Sequence, residues 1–281
     1  MNQCTIVVNT CDAYSDVWEL FFKAFEEHWK GCGYNIVLNT ETFICTLPNV
    51  ITHNFSEIST LDNWGKRFKQ TLQDINSEFV IMLYDDFILE ENVNQVKINQ
   101  CIKWLEDEEN KNICAFYFIH SQNENIDDGK FEGFERLPLK ADYKLNSAPA
   151  LWRKNKLISF IEDNDSPWAW EYFGSYRTYN KQSIFYSIKK ENEDIYPYNY
   201  SMGGAIYRSK WVSSVVLPLV DKYKLDLDLS KRGLTDKVGG SNKRTLKWKI
   251  DFFITGYKMI GLGVFLFAYR IIIKKIGVFF G

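Results

Sequence analysis

The alternation of short apolar strands with amphipathic helical stretches over the first 120 residues predicts an α/β fold: a sandwich of helices on both faces of a mixed, mainly parallel sheet. Three stretches carry that expectation. Residues 4–9 (CTIVVN) form a β-branched strand, residues 17–29 have helical spacing, and residues 34–38 give a second strand. A right-handed crossover turns such a succession into a parallel pair. Residues 79–84 (FVIMLY) are a continuous apolar run of strand length that ends in two carboxylates, Asp85 and Asp86. Residues 112–119 (NICAFYFI) read as another buried strand.

Each further element follows from local signals. Asp16 is placed to cap the first helix, in which Val17, Trp18, Phe21, Phe22, Phe25 and Trp29 recur at helical spacing before Gly31 and Gly33 end it. Residues 49–55 read as a weaker third strand. Residues 61–75 read as a helix with Trp64, Phe68, Leu72 and Ile75 inward and Asp62 or Asn63 near its cap. Residues 91–109 read as a helix whose acidic end is a solvated face set badly against the helix dipole. After residue 120 the pattern changes. A polar loop is followed by strand-like pieces within 131–146 and a helix over 149–161. Ser166 and Pro167 have the types that suit an N-cap and first helical position, opening a helix that carries Glu171. Short strands are expected over 184–188 and 203–207, then a helix over 209–221 interrupted by Pro218. The chain thus divides into two halves of one domain, 1–120 and 121–242, and a tail, 243–281.

Composition narrows the function classes. At 46% hydrophobic and 25% charged, the 281 residues have the balance of a globular protein with a full core. The net charge of −2 argues against a nucleic-acid partner. Cys4, Cys11, Cys32, Cys45, Cys101 and Cys114 are scattered, with no C-x-x-C pair, so a reducing cytoplasm is expected and neither a structural zinc nor a disulfide framework. His28, His53 and His120 are far apart and read as structural. Met1 leads almost directly into a strand, giving the expectation of no leader.

The tail differs in kind. From residue 243 onward eight basic side chains face one acid, Asp251, a local charge of +7 that leaves −9 on the remainder. Its apolar stretch, 259–269, is shorter than the about 20 residues that span a bilayer. Basic flanks and aromatic content fit an amphipathic helix lying in the interface of an anionic membrane. Peripheral attachment to the inner face of the cell membrane is therefore expected.

Two polar strand ends, Asn9-Thr10-Cys11-Asp12 and Asn39-Thr40-Glu41, fall at the same sheet edge as Tyr84-Asp85-Asp86. Ligands of open α/β sheets bind beyond the carboxyl ends of strands. Paired acids there suit a divalent cation carrying phosphates; the competing use is a turn and helix cap. No G-x-G-x-x-G or G-x-x-x-x-G-K-[ST] occurs, so neither a dinucleotide site nor a P-loop is supported.

Over residues 4–211 the chain resembles the GT-A class of nucleotide-sugar glycosyltransferases, especially the bacterial enzymes that build capsular or other surface polysaccharides. The resemblance rests on NTCDAYSDVW, NWGKRFKQTLQDINSEFVIMLYDDF, SAPALW, SPWAWEYFGS and GGAIYRSKW, in that order. It implies a nucleotide diphosphate sugar as donor, UDP-linked by expectation, and a glycan acceptor; the tail points to a lipid-linked one. Thr10 and Asp12 would line the base pocket, Glu41 would meet ribose or base, and Trp64 and Arg67 would contact the nucleotide. The family's D-x-D falls on Tyr84-Asp85-Asp86, so a tyrosine replaces the first carboxylate. Asp86 would remain as ligand for Mn or Mg and Asp85 as a helper toward the ribose or donor sugar, which weakens the expected metal dependence.

Glu171 is the candidate base of an inverting displacement. Aromatic neighbours would raise its pKa, and the dipole of the Ser166-capped helix would oppose that shift. Glu162, Asp163 and Asp165 compete for the role. Trp152 and Trp170 would stack on the acceptor sugar. The alternatives are a retaining transferase, a nucleotidyltransferase or phosphatase, and a non-catalytic carbohydrate-binding protein on the same fold.

Overall fold

Along each central strand, successive side chains enter opposite cores. In β1 (Cys4–Asn9) Ile6 and Val8 join one core and Val7 the other. The computed structural model describes residues 3–55, 64–198, 203–236 and 245–270. In chain order the next elements are α1 (Trp18–His28), β2 (Asn35–Asn39), β3 (Val50–His53), α2 (Trp64–Asp74), β4 (Phe79–Tyr84) and α3 (Gln95–Glu106). They are followed by β5 (Ile113–His120), β6 (Phe134–Arg136), β7 (Ala150–Arg153), α4 (Lys154–Ser159), α5 (Pro167–Tyr172) and β8 (Ile184–Ile188). The eight strands form one sheet in the order β3-β2-β1-β4-β7-β5-β8-β6. The first four are parallel, β7 runs antiparallel to both β4 and β5, and β8 is parallel to β5 with β6 antiparallel to it. This is the mixed, mainly parallel α/β/α sandwich that the alternation predicts.

Helices cover both faces because both faces are apolar. Trp18, Phe21 and Phe25 of α1 and Ile98, Cys101 and Leu105 of α3 pack on Phe79, Ile81 and Leu83 of β4. On the other side Trp64, Phe68 and Leu72 of α2 and Trp170 of α5 pack on Val80 and Met82. Burying each such side chain contributes about 1.5–3 kcal/mol before the entropy of ordering it is counted. A register slip of one residue would exchange the two faces, and the two cores of different shape prevent it.

Several local expectations change. The helix expected over 149–161 is instead β7 followed by the short α4. Ala150, Leu151 and Trp152 are fully buried between β4 and β5, and so short an apolar run carries no period that separates strand from helix. Asp16 does not cap α1; it pairs with Arg232, 2.8 Å from Nε to Oδ2. The helix expected over 91–109 is α3 over Gln95–Glu106, opened by Asn94, whose side chain accepts from Lys97 N at 3.0 Å. The start of α2 expected at Leu61, and its cap at Asp62 or Asn63, lie outside the described residues.

Beyond the sheet, β9 (Ile206–Tyr207), β10 (Lys210–Val212) and β11 (Leu234–Thr235) make a three-stranded sheet, with α6 (Ser213–Tyr223) between the last two. Pro218 lies inside α6 rather than ending it. The tail helix α7 (Leu246–Ile260) starts at Thr245, whose Oγ1 accepts from Trp248 N at 3.2 Å, breaks at Gly261 and is followed by helix over 263–270. Val264 and Phe267 pack on Ala169 and Phe173 of the domain, while Leu262, Leu266 and Tyr269 are more than half exposed. No described helix is long and apolar enough to cross a membrane. Four of the tail's basic residues, Lys243, Arg244, Lys274 and Lys275, lie outside the described residues.

Candidate functional site

The carboxyl ends of β1, β2 and β4 open into a cleft of about 880 Å³. It is lined by Thr10, Glu41, Trp64, Arg67, Tyr84, Asp85, Asp86 and Glu171 together with Cys11, Ser147, Trp168 and Arg208. Parallel pairing creates this convergence. Asn9 lies level with both Asn39 and Tyr84, so the three strands release their polar ends at one height.

Each acidic side chain has a distinct setting. Asp85 is buried and accepts from Thr10 Oγ1, which in turn accepts from Trp18 Nε1 at 2.8 Å. Burial and then the neighbouring Asp86 charge push Asp85 well above the usual carboxylate range, against the Thr10 hydrogen bond. Burial raises Asp86 to about 7, although its side chain keeps some solvent access. The backbone of Asp86 is tied to the small second sheet: Ala205 N donates to its carbonyl at 2.8 Å. Gly204, at φ +94°, makes that approach possible, since a Cβ there would lie 2.7 Å from the same carbonyl oxygen.

Glu41 and Arg67 form a buried pair at 3.2 Å on the wall of the cleft. Glu41 also accepts from Asp12 N at 3.0 Å. Arg67 Nε, Trp64 Nε1 and Tyr84 Oη belong to residues lining the same cleft and are buried without a hydrogen bond of good geometry among the described residues, although Ser147 and Trp64 lie close enough to act on the Tyr84 hydroxyl. Buried polar atoms beside a hollow are normally satisfied by water or a ligand.

Asp12 does not line the cleft. Its carboxylate accepts from the backbone of Thr42 at 3.0 Å and of Phe43 at 3.1 Å, and from the Thr42 hydroxyl. Burial opposes its ionisation, but these hydrogen bonds prevail and lower its pKa. Asp12 therefore folds the loop after β2.

Glu171 lines the same cleft beside Ser147. Ser166 accepts from Ala169 N at 3.4 Å and Pro167 occupies the first turn, so α5 begins where the sequence places it. The carboxylate accepts from Ser147 N at 2.6 Å, and burial raises its pKa against that hydrogen bond. Ser175 Oγ donates to Glu171 O at 2.8 Å and accepts from Leu145 N at 2.9 Å, fastening α5 to the loop before β7. Lys144 anchors that loop by donating to three carbonyls, those of Ser183 at 2.8 Å and of Leu139 and Thr178 at 3.3 Å. The competing acids are otherwise engaged. Asp165 is buried in a two-toothed pair with Arg177, Asp163 pairs with Lys69, and Glu162 is exposed and outside the cleft.

The structure removes Trp152 and Trp170 from the acceptor role. Both are 0% exposed, and Trp170 Nε1 is spent on Phe160 O at 3.0 Å, so neither offers a face to a sugar. Trp168, 72% exposed at the cleft edge, is the aromatic residue that helical geometry leaves outside. Ser147 and Arg208 also line the cleft without having been singled out. Arg208 and Ser209 form the two-residue turn between β9 and β10 with φ of 52° and 63°. Glycine or asparagine normally fills such turns, so the sequence carries no hairpin signal there.

For a divalent cation the donor set is small. Among the described residues no group of three or more His, Cys, Asp or Glu side chains is gathered. Asp86 lines the cleft beside Asp85, and no side-chain hydrogen bond among the described residues engages its carboxylate. One carboxylate together with substrate phosphates is a donor set that suits Mg or Mn.

No family model and no curated protein matches the chain. Its fold is similar to several solved structures. Residues 1–349 of TarS from S. aureus in complex with UDP align at 10% identity, over 93% of this chain and 82% of that one, with a TM-score of 0.49. A cytidylyltransferase from Leptospira borgpetersenii aligns at 10% identity over 68% and 78%, TM-score 0.41. The galactosyltransferase LgtC, in complex with donor and acceptor sugar analogues, aligns at 12% identity over 55% of this chain and 59% of that one, TM-score 0.34.

Proposed function

We propose that this chain is a GT-A-type glycosyltransferase that moves a sugar from a nucleotide diphosphate donor, UDP-linked by expectation, to a lipid-linked glycan acceptor with inversion. The observation that carries the proposal is the joining of the Asp85–Asp86 strand end, the Glu41–Arg67 pair and Glu171 in one cleft. In this assignment base and ribose lie toward Thr10 and Glu41, the diphosphate toward Asp86, and the transferred sugar between Asp85 and Glu171. Arg67 holds Glu41 in place and adds positive charge near the nucleotide. Asp86 would hold Mn or Mg, which supplies charge neutralisation to the leaving diphosphate when bound.

Glu171 takes the proton of the acceptor hydroxyl as its oxygen bonds to the anomeric carbon. The bond from that carbon to the diphosphate breaks, and its electron pair leaves on the phosphate oxygen. Burial favours this role because it brings the carboxylate's proton affinity closer to that of a working base.

A melting-temperature screen of nucleotide sugars, with and without manganese, tests donor use, since a ligand that binds the folded state raises its stability by mass action. The expected result is a rise with one nucleotide diphosphate sugar, followed by its transfer to a glycan acceptor; absence of any donor-dependent rise removes the proposal. Bacterial surface-polysaccharide synthesis and peripheral attachment to the inner membrane face complete it. The exposed Leu262, Leu266 and Tyr269 follow the exposed Lys247, Lys249 and Lys258 along the tail, apolar and basic groups of the kind that bind anionic headgroups, while Arg270 is held by Asp142 and Tyr179 of the domain. Cosedimentation with anionic but not neutral vesicles is expected.

A further inference from the structure

Glu171 is a wall of three hollows at once. Besides the cleft of about 880 Å³ it borders a polar pocket of about 520 Å³ and an apolar groove of about 840 Å³. The pocket of about 520 Å³ offers the amides of Asn123 and Asn146, the Asp142 carboxylate, the His120 ring and the hydroxyls of Ser121 and Ser147, the types of group that hold a sugar head. The groove runs between α5 and the tail and is walled by Trp168, Tyr172, Trp248, Phe252, Phe267 and Ala268; Glu171 and Lys249 are its charged side chains. Tyr143 borders both the pocket and the groove, as Glu171 does, so the two hollows adjoin at the carboxylate.

Resting on the glycosyltransferase proposal, we infer that this groove seats the apolar chain of an amphiphilic acceptor whose chain begins close to the reacting hydroxyl. The groove's rings could stack on a sugar face, but a glycan continuing into the groove would leave most of its hydroxyls without hydrogen-bond partners, because few of the lining side chains are polar. A bilayer surface meets the exposed side of the tail, where Leu262 is 74% exposed, rather than the inner wall at Glu171. An extended apolar chain leaving the sugar head matches both the lining and its direction toward the tail. The tail is built to hold the groove's wall close: a Cβ on Gly256 would lie 2.5 Å from the Phe173 ring, so glycine there lets α7 approach the domain.

Calorimetric titration of the full chain with methyl and octyl glucosides, the latter below its micelle concentration, tests the groove directly. Buried methylenes strengthen binding by roughly tenfold for every two at most, so octyl glucoside is expected to bind at least tenfold more tightly than methyl glucoside. Ala268→Trp fills the groove and is expected to abolish that difference; Phe252→Ala, which removes a wall, is expected to reduce it and serves where the first variant does not fold. Equal affinity for the two glucosides overturns the inference. So does an octyl preference unchanged in the folded variant, which places the chain on the exposed face of the tail. The donor melting shift is read in the same samples. A missing shift with an intact, groove-dependent octyl preference defeats the transferase proposal and not the groove.

Discussion

Ser147 N donates to Glu171 Oε1 at 2.6 Å, joining the loop before β7 to the helix that carries the proposed base. Replacement of Glu171 by Gln keeps an acceptor for that N–H and removes the basic oxygen. Sugar transfer is expected to fall by about 10²–10⁴, while the donor-dependent melting shift persists. Measured turnover close to that of the unaltered chain would exclude Glu171 as the base.

The raised pKa of Glu171 makes activity and stability depend on pH in opposite directions. Transfer requires the carboxylate, so the acidic limb of the kcat/KM profile is expected above the usual glutamate range, and it should vanish in Glu171→Gln. For stability, the folded state holds this proton more tightly than the unfolded chain does. The associated stabilisation is full below the ordinary glutamate pKa and is lost as pH rises through the raised one. Urea midpoints of the two proteins across that window should therefore converge at low pH and separate as pH rises, with the Gln variant the more stable.

Tyr84 Oη is buried without a hydrogen bond of good geometry among the described residues, Ser147 and Trp64 acting on it only from beside it, so its removal breaks no strong bond. Tyr84→Phe is expected to leave unfolding free energy within about 0.5 kcal/mol. If the hydroxyl meets the donor, the same change weakens nucleotide-sugar binding by about 1 kcal/mol, roughly fivefold. Calorimetric titration of the donor against the variant checks this, and unchanged affinity would confine Tyr84 to a packing role.

Arg67 pairs with Glu41 where both side chains are almost wholly buried. Arg67→Ala leaves the carboxylate of Glu41 without its cation and is expected to cost about 3–5 kcal/mol of stability. Arg67→Lys is expected to recover only part of this, because a single ammonium does not reproduce the guanidinium fork. Chemical denaturation of both variants is the measurement, and a loss below 1 kcal/mol would show that the pair behaves as an exposed one.

The sequence alone determined the parallel half of the sheet, its helices and the level at which Thr10, Glu41, Asp85 and Asp86 emerge, because β-strand and helix periods are local and parallel pairing follows from the crossovers. It also placed Ser166, Pro167 and Glu171 on α5, since a cap and an N-terminal proline act within one turn. The tertiary structure decided what those local signals leave open. Residues 150–153 became a strand because two neighbours offered them a ladder. Trp152 and Trp170 entered the core while Trp168 stayed outside, and Asp12 was spent on a loop. Burial and pairing of that kind depend on what lies opposite a side chain, and the partners here are distant in the chain: Glu41 with Arg67, Ser147 with Glu171, and Glu171 with the tail that walls its third hollow.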